Sequence, residues 1–189
     1  MKGSFIYALL LPVLISFSSS VYCQKFLVNE EDRVLALEAQ ETFPDESFYA
    51  IESSVNIKFD FNSKLNQVEA KVKTGETLLC LSDLYQRYHG SIHLNEQTNS
   101  FRVSGKNYRG KPTTYITGES KYKSSGIFYD DITVKTFTIP FSRLGDRNSY
   151  SYTVNYEDVK YLTKSFFHTY YPRKTKTISY TIPTWLEVD

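Results

Sequence analysis

The sequence predicts an all-β protein: an antiparallel β-sandwich of roughly eight or more short strands, preceded by a short N-terminal helix. Three observations predict this class. Aromatic residues make up 16% of the chain and are nearly all Tyr and Phe, which favour half-buried strands. Apolar and polar residues alternate with period two in most segments after Pro44. Turn-forming residues separate these segments, and helical patterns do not alternate with them as they would in an α/β protein.

Residues 1–23 have the features of a secretory signal peptide. Lys2 supplies a positive charge, the stretch from Phe5 to Phe17 is largely apolar, and serines follow it before Cys23. The apolar stretch is shorter than the roughly 20 residues that a membrane-spanning helix needs, so we expect no transmembrane span. Cleavage after Cys23 would begin the mature protein at Gln24; lipidation of Cys23 is the alternative. We therefore expect export to the periplasm or the extracellular space.

Removal of residues 1–23 changes both the charge and the cysteine count. The whole chain has 22 basic and 21 acidic residues, and the loss of Lys2 leaves 21 of each, a net charge of zero. A dedicated DNA-binding protein needs a cationic excess to neutralise phosphates, so we expect no nucleic-acid partner. Of the 2 cysteines only Cys80 remains, which excludes an intramolecular disulfide.

Residues 24–44 are predicted to form an acidic segment with a short helix. Asn29 is a suitable N-cap, and Glu30, Glu31 and Asp32 place carboxylates in the first turn, where they interact favourably with the helix dipole. Pro44 ends the segment. The remaining residues, 45–189, contain no repeat or low-complexity linker, so we predict that they form one β-sandwich domain.

Strand patterns begin directly after Pro44. One set of apolar residues alternates with polar neighbours and predicts a strand with a single apolar face: Ile51, Val55, Ile57, Phe59 and Phe61. A turn at 62–64 and a second alternation predict its hairpin partner: Val68, Ala70 and Val72. The apolar residues 78–81 fit either a buried strand or a helical turn. Phe101 and Val103 begin another short strand.

The next strand contains a change of phase. Ile132 and Val134 alternate in one phase, whereas Phe137, Ile139 and Phe141 alternate in the opposite phase. A regular strand cannot keep both sets on one face, so we predict a β-bulge near residues 135–136, Lys-Thr.

Two further alternations predict the last strands. After a turn at 145–148 the first of them gives an aromatic face: Tyr150, Tyr152, Val154 and Tyr156. We expect this face to lie in the sandwich core, because large rings supply burial there; a carbohydrate-stacking platform is the alternative. The second alternation is stopped by Pro183: Ile178, Tyr180 and Ile182.

Several short motifs occur in a characteristic order between residue 43 and residue 189: Phe43-Pro44-Asp45, Tyr129-Asp130-Asp131-Ile132, Thr138-Ile139-Pro140, Leu144-Gly145-Asp146, Tyr171-Pro172 and Ile182-Pro183-Thr184-Trp185-Leu186. In this order they resemble an uncharacterised family of N-terminal domains that precede a transglutaminase-like domain in exported bacterial proteins. The resemblance implies a β-sandwich whose chain normally continues into a papain-like cysteine domain. That later domain carries the catalytic Cys, His and Asp, so no residue of this chain inherits those roles.

The resemblance therefore implies a non-catalytic accessory or interaction module. Its expected partner is a downstream transglutaminase-like domain or another envelope protein. The chain stops near the point where the later domain would begin. Either the sequence belongs to a longer or shortened relative of the family, or the module acts alone.

No set of residues in the mature chain has the complete pattern of a catalytic or metal site. Cys80 and a histidine could support nucleophilic catalysis, but the apolar neighbours of Cys80 favour an inert core thiol. His89 and His93 have the spacing of a helical metal pair, yet no third ligand lies near them in the sequence. Asp130 and Asp131 would point to opposite faces of a strand and fit a turn better. We expect neither enzymatic activity nor a cofactor.

Two stretches are candidates for binding. Residues 102–123 contain six bases, one acid and interleaved tyrosines, and Arg102, Arg109 and Lys111 are the candidate anion contacts. They predict the alternative function, a glycan- or polyanion-binding module. The other interpretation is a set of solvated lysines and arginines that discourage edge-to-edge aggregation. Trp185 and Leu186 follow Pro183 near residue 189, and we predict that they contact a following domain or a partner.

Overall fold

The computed structural model describes residues 28–94, 98–107, 109–112, 115–121, 132–162 and 171–187. Within them the elements are helix α1 (Glu30–Thr42), a 3-10 helix (Val159–Tyr161) and eight strands: β1 (Phe48–Asn62), β2 (Gln67–Cys80), β3 (Gln86–Leu94), β4 (Thr98–Asn107), β5 (Tyr115–Lys121), β6 (Thr133–Phe141), β7 (Arg147–Tyr156) and β8 (Arg173–Thr181). The predicted all-β class is confirmed. In this part of the chain no helix has the length and apolar character needed to cross a membrane. The predicted signal peptide, residues 1–23, lies outside the described residues.

Helix α1 begins where its capping residues predict. The side chain of Asn29 accepts a hydrogen bond from the backbone N–H of Glu31 at 3.4 Å, and acidic residues fill the first turn. The helix packs on the outer face of β2, because its small residues meet side chains that alternate with the core-facing ones. The contact joins Ala36 and Ala39 with Leu79, Leu81 and Leu144.

The strands form two sheets, of order β4-β7-β2-β1-β8 and β3-β6-β5. Strands β1 and β2 form the predicted hairpin, with Phe59 opposite Ala70. The exception to antiparallel pairing is β8, which runs parallel to β1 and places Ile178 opposite Val55. Side-chain alternation determines which face a residue occupies but carries no information on strand direction. The sandwich is confirmed, and this parallel pair is what the pattern could not predict.

The core lies between the two sheets and is built from alternate residues of five strands. Its buried members come from β1, β2, β3, β6 and β7: Ala50, Val55, Ile57, Phe59, Ala70, Leu78, Cys80, Ile92, Leu94, Phe137, Ile139, Phe141, Tyr150, Val154 and Tyr156. The predicted aromatic face of β7 therefore belongs to the core. Residues 78–80 are the buried end of β2 rather than a helical turn.

The bulges fall at other positions than the predicted one. Strand β6 pairs with β3 in an unbroken register, so the prediction of a bulge near residues 135–136 is wrong. The irregularity lies in the neighbouring strand β5, between Ile116 and Gly118. Val134 simply faces away from the core side that Phe137 occupies, which explains the change of phase. A second bulge, between Ala50 and Glu52 of β1, turns Ile51 toward the helix side, so Ile51 does not share the face of Val55.

Candidate functional site

The predicted contact residues Trp185 and Leu186 lie at the end of the sandwich where the β1–β2 hairpin turns. The indole of Trp185 is 51% exposed and meets the ring of Phe61 edge-on, with 6.0 Å between the ring centroids. Phe61 is itself 48% exposed. Leu186 packs against the core, and its backbone N–H donates to the carbonyl oxygen of Pro183 at 3.0 Å. We call Phe61 and Trp185 the terminal aromatic pair.

The predicted anion contacts are divided between a strand and a turn. Arg109 and Lys111 are exposed on the turn after β4, where the side-chain oxygen of Asn107 accepts their backbone N–H groups at 3.0 and 2.9 Å. Arg102 lies within β4 opposite Thr153, and its side chain is outside the described part of the structure. At roughly 3.4 Å per residue, about 17 Å of strand separates Arg102 from Asn107. The structure therefore brings Arg109 and Lys111 together but leaves Arg102 apart.

Cys80 occupies the inert setting that the sequence predicts. It is fully buried at the end of β2, and its Sγ donates to the carbonyl oxygen of Ser82 at 3.4 Å. Burial raises the pKa of the thiol to about 11, so the nucleophilic thiolate is scarce at neutral pH.

The two candidate metal-binding histidines do not converge. His89 and His93 lie on strand β3, where a separation of four residues places them about 13 Å apart. Among the described residues, no three His, Cys, Asp or Glu side chains are placed to hold a metal ion. Asp130, Asp131 and His168, the third histidine of the chain, lie outside those residues.

A buried polar cluster that the sequence analysis missed surrounds Glu76. Its Oε1 accepts hydrogen bonds from Ser53 Oγ at 2.6 Å and from Arg173 Nη2 at 2.7 Å. Its Oε2 accepts from the hydroxyl of Tyr150 at 2.5 Å and from the hydroxyl of Tyr171. We call this set the Glu76 cluster: Ser53, Glu76, Tyr88, Tyr150, Tyr171 and Arg173. Four donors on one carboxyl group are the pattern of an ionised carboxylate.

The phenols of the Glu76 cluster act as hydrogen-bond donors. The pKa of Tyr150 and that of Tyr171 lie far above the ordinary tyrosine value. Burial is the larger cause, and the negative charge of Glu76 is the second. Burial also raises the pKa of Tyr88, whose hydroxyl lies 3.0 Å from that of Tyr150 and 3.2 Å from that of Tyr171. All three hydroxyls therefore keep their protons over the physiological pH range.

Arg173 is the cationic member of the Glu76 cluster. Its side chain is only 10% exposed, and its guanidinium carbon lies 5.8 Å from the centre of the Tyr171 ring. Besides its bond to Glu76 it has two buried nitrogen donors, Nε and Nη1, that have no hydrogen-bond partner in the described structure.

A cavity of about 180 Å³ adjoins the Glu76 cluster. Residues of β1, β2, β7 and β8, with Tyr171, form its walls: Ser53, Ser54, Val55, Thr74, Glu76, Tyr150, Tyr152, Tyr171, Arg173 and Lys176. Lys176 is partly buried, and burial lowers its pKa, with a smaller effect from the charge of Arg173. The cavity thus combines polar hydroxyls, aromatic walls and two cations.

Cross-strand register assembles these groups from distant parts of the chain. Glu76 of β2 lies opposite Ser53 of β1 on one side and opposite Tyr150 of β7 on the other. Ser53 in turn lies opposite Lys176 of β8. One signal was available in the sequence: Glu76 occupies the same phase as Ala70 and Leu78, so the predicted hairpin already places a carboxylate on a core face.

Structural comparison finds matches to this chain where sequence comparison finds none. No family model matches it, and no curated protein is significantly similar in sequence. Among solved structures, one similar chain is a crystal structure from Legionella pneumophila of a protein assigned provisionally as nutrient binding. The two chains are 8% identical with a TM-score of 0.41, and the match covers 58% of this chain and 40% of the other. At that TM-score the similarity supports no conclusion about ligand or function.

Proposed function

We propose that this protein is a non-catalytic, exported β-sandwich module that serves as an accessory or interaction domain of a transglutaminase-like envelope protein. The observation that carries the proposal is the terminal aromatic pair. Two large rings, each about half exposed, are in contact at one end of the sandwich. Exposed aromatic side chains supported by a rigid core are typical of protein interfaces, where Trp contributes more than most residue types.

The terminal aromatic pair has a fixed geometry. Phe61 is held by its place opposite Val68 in the β1–β2 hairpin. Trp185 is held between Pro183 and Leu186, which are joined by a backbone hydrogen bond, and Leu186 is anchored in the core. A preorganised surface loses little conformational entropy on binding.

The proposed occupant of this surface is a transglutaminase-like domain that continues the same polypeptide. Trp185 belongs to the segment that follows the last strand, so a domain joined after residue 189 would start within a few residues of the pair. A short connection of this kind gives an effective concentration on the order of millimolar, which makes a modest interface sufficient.

Hydroxyl-radical footprinting of Trp185 tests this proposal. The gene is first read downstream of codon 189 for a Cys-bearing domain, and the protein with and without that domain is then oxidised and analysed by mass spectrometry. Oxidation of Trp185 is expected to fall by roughly fivefold when the domain is present, as for a residue that enters an interface core. Tyr85 is the matched control, because it is 55% exposed and follows the opposite end of β2. The proposal is refuted by unchanged Trp185 oxidation, by an equal fall at Tyr85, or by a gene that encodes no such domain.

The basic turn after β4 supports a second candidate function, the binding of glycans or polyanions by the stretch 102–123. The side-chain oxygen of Asn107 accepts the backbone N–H groups of two exposed cations, Arg109 and Lys111, and so holds both on one turn. A glycan array tests it with the double variant Arg109→Glu, Lys111→Glu and with Lys174→Glu as a control of the same charge type. Binding that is lost only in the double variant supports this function. If the parent protein binds no glycan on the array, this candidate function is refuted.

A further inference from the structure

Among the described residues, the Arg173 side chain has two buried nitrogen donors without an acceptor. The Arg173 side chain is nine-tenths buried and lines the cavity beside the Glu76 cluster. Only its Nη2 donates a hydrogen bond to Glu76. In the described structure its Nε and Nη1 have no acceptor. Buried donors are almost always paired, so two such groups at the wall of one cavity indicate a missing acceptor.

We propose that this cavity binds the oxyanion of a small molecule, a carboxylate or phosphate group, with Arg173 as its principal ligand. The inference is independent of the proposed interaction function, which uses the surface around the terminal aromatic pair. Guanidinium N–H groups are strong, charge-assisted donors to both kinds of oxyanion. Glu76 does not compete for the ligand's place, because both of its oxygens are already engaged by Ser53, Arg173 and two tyrosine hydroxyls.

The charge of the cavity wall favours an anion. Its ionisable groups, tyrosines aside, are Glu76, Arg173 and Lys176. Glu76 neutralises one of the two cations, which leaves one positive charge in a partly desolvated space. Burial lowers the pKa of the Lys176 ammonium group, and the nearby guanidinium of Arg173 lowers it further. An anion in the cavity would interact favourably with both cations.

The volume of the cavity limits the ligand to a small molecule. An apolar cavity of roughly 150 Å³ is known to hold a ligand the size of benzene, which has six heavy atoms. The cavity here measures about 180 Å³. Inorganic phosphate or a short hydroxy acid would fit inside it, and Thr74, which alternates in phase with Glu76 on β2, lines the same wall.

The test is a titration followed by NMR at the assigned Nε–Hε resonance of Arg173 in the whole protein. The two probes are sodium phosphate and sodium lactate, each at an ionic strength held constant with sodium chloride. The same titrations are made with Lys176→Met, which removes a cation of the cavity wall, and with Lys174→Met, which removes a neighbouring exposed cation of the same strand. Neither residue belongs to the Glu76 cluster, so both variants are expected to fold.

A saturable shift of the Arg173 resonance with either probe is the expected result. The affinity of Lys176→Met should then be at least about fivefold below that of Lys174→Met, the loss of one well-placed charge interaction. Saturation by phosphate alone identifies a tetrahedral oxyanion, and saturation by lactate alone identifies a carboxylate. No saturable shift with either probe up to about 50 mM, a range that covers very weak sites, overturns the proposal. A difference between the two variants smaller than fivefold also overturns it, because screening of a general positive field would then explain the binding.

Discussion

Replacement of Glu76 by Gln should strongly destabilise this fold. The substitution keeps the shape of the side chain but removes its charge. Arg173, only 10% exposed, then loses its counter-charge, because a neutral amide oxygen replaces the carboxylate oxygen that lies 2.7 Å from its Nη2. At the other oxygen position an amide –NH₂ can no longer accept from the hydroxyls of Tyr150 and Tyr171, since all three groups are donors.

The magnitude follows from the burial of the pair. Removal of one partner of a buried ion pair costs about 3–5 kcal/mol, because the remaining charge is left uncompensated in a medium of low polarity. The two phenols lose an acceptor as well, but the hydroxyl of Tyr88 lies within 3.2 Å of both and offers them another one. We therefore expect a loss of about 3–5 kcal/mol of unfolding free energy, a large part of the roughly 5–15 kcal/mol of a typical domain.

Urea denaturation monitored by circular dichroism measures this loss. The control is Glu69→Gln on the same strand, whose Oε2 accepts from the side-chain amide of Asn62 at 3.0 Å near the hairpin turn. It should cost less than about 1 kcal/mol. The double variant Glu76→Leu, Arg173→Met replaces the buried pair by apolar side chains and should recover at least half of the loss, because no buried charge is then left alone.

Two results would refute this reasoning. A loss below about 1 kcal/mol for Glu76→Gln would mean that water reaches Arg173 freely and that the pair is not desolvated. A double variant less stable than Glu76→Gln would mean that Glu76 and Arg173 stabilise the fold through their packing, and that the uncompensated charge of Arg173 is not the main cause of the loss.

Three further predictions concern other parts of the sandwich. With a pKa raised from 9.0 to about 11, Cys80 should react with iodoacetamide at pH 8 roughly 100-fold more slowly in the folded protein than in urea; equal rates would contradict its burial. Gly90→Ala should cost about 1–3 kcal/mol in thermal unfolding, because a Cβ at Gly90 would lie 2.1 Å from the ring of Phe137, whereas Gly118→Ala meets only a threonine hydroxyl; equal effects of the two would refute this. Burial raises the pKa of Asp32, so the native state holds its proton to a higher pH than the unfolded state does. The contribution of Asp32 to stability must then fall as the pH rises from below 3.8 through the folded-state pKa. Over that range the stability of Asp32→Asn relative to wild type, measured by urea denaturation, should increase. A difference in stability that stays constant with pH would contradict this prediction.

The local elements could be predicted because their causes lie within a few residues of one another. The cap of α1 depends on Asn29 and the backbone N–H of Glu31, two residues apart. The β1–β2 hairpin depends on two alternating segments on either side of a short turn. The inert character of Cys80 followed from its apolar neighbours, which do place it in the core. In each case the sequence neighbours are also the structural neighbours.

The bulges and the strand directions could not be predicted in the same way. The phase change around Val134 and Phe137 has two physical explanations, a bulge or a residue that faces away from the core, and only the pairing with β3 distinguishes them. Likewise, the alternation of β8 is the same whether the strand runs parallel or antiparallel to β1. Its direction depends on how a distant part of the chain returns to the sheet edge.

The sequence by itself determined that the chain forms strands, where its helix begins, which residues could face a core, and that Trp185 and Leu186 stand apart from the strand pattern. Only the tertiary structure decided which strands are neighbours, and with that it placed Glu76 between Ser53 and Tyr150 and joined Arg173 to them. The physical reason is separation along the chain: Glu76 and Arg173 are 97 residues apart, and their ion pair forms only after the sheet register brings β2 and β8 onto either side of β1.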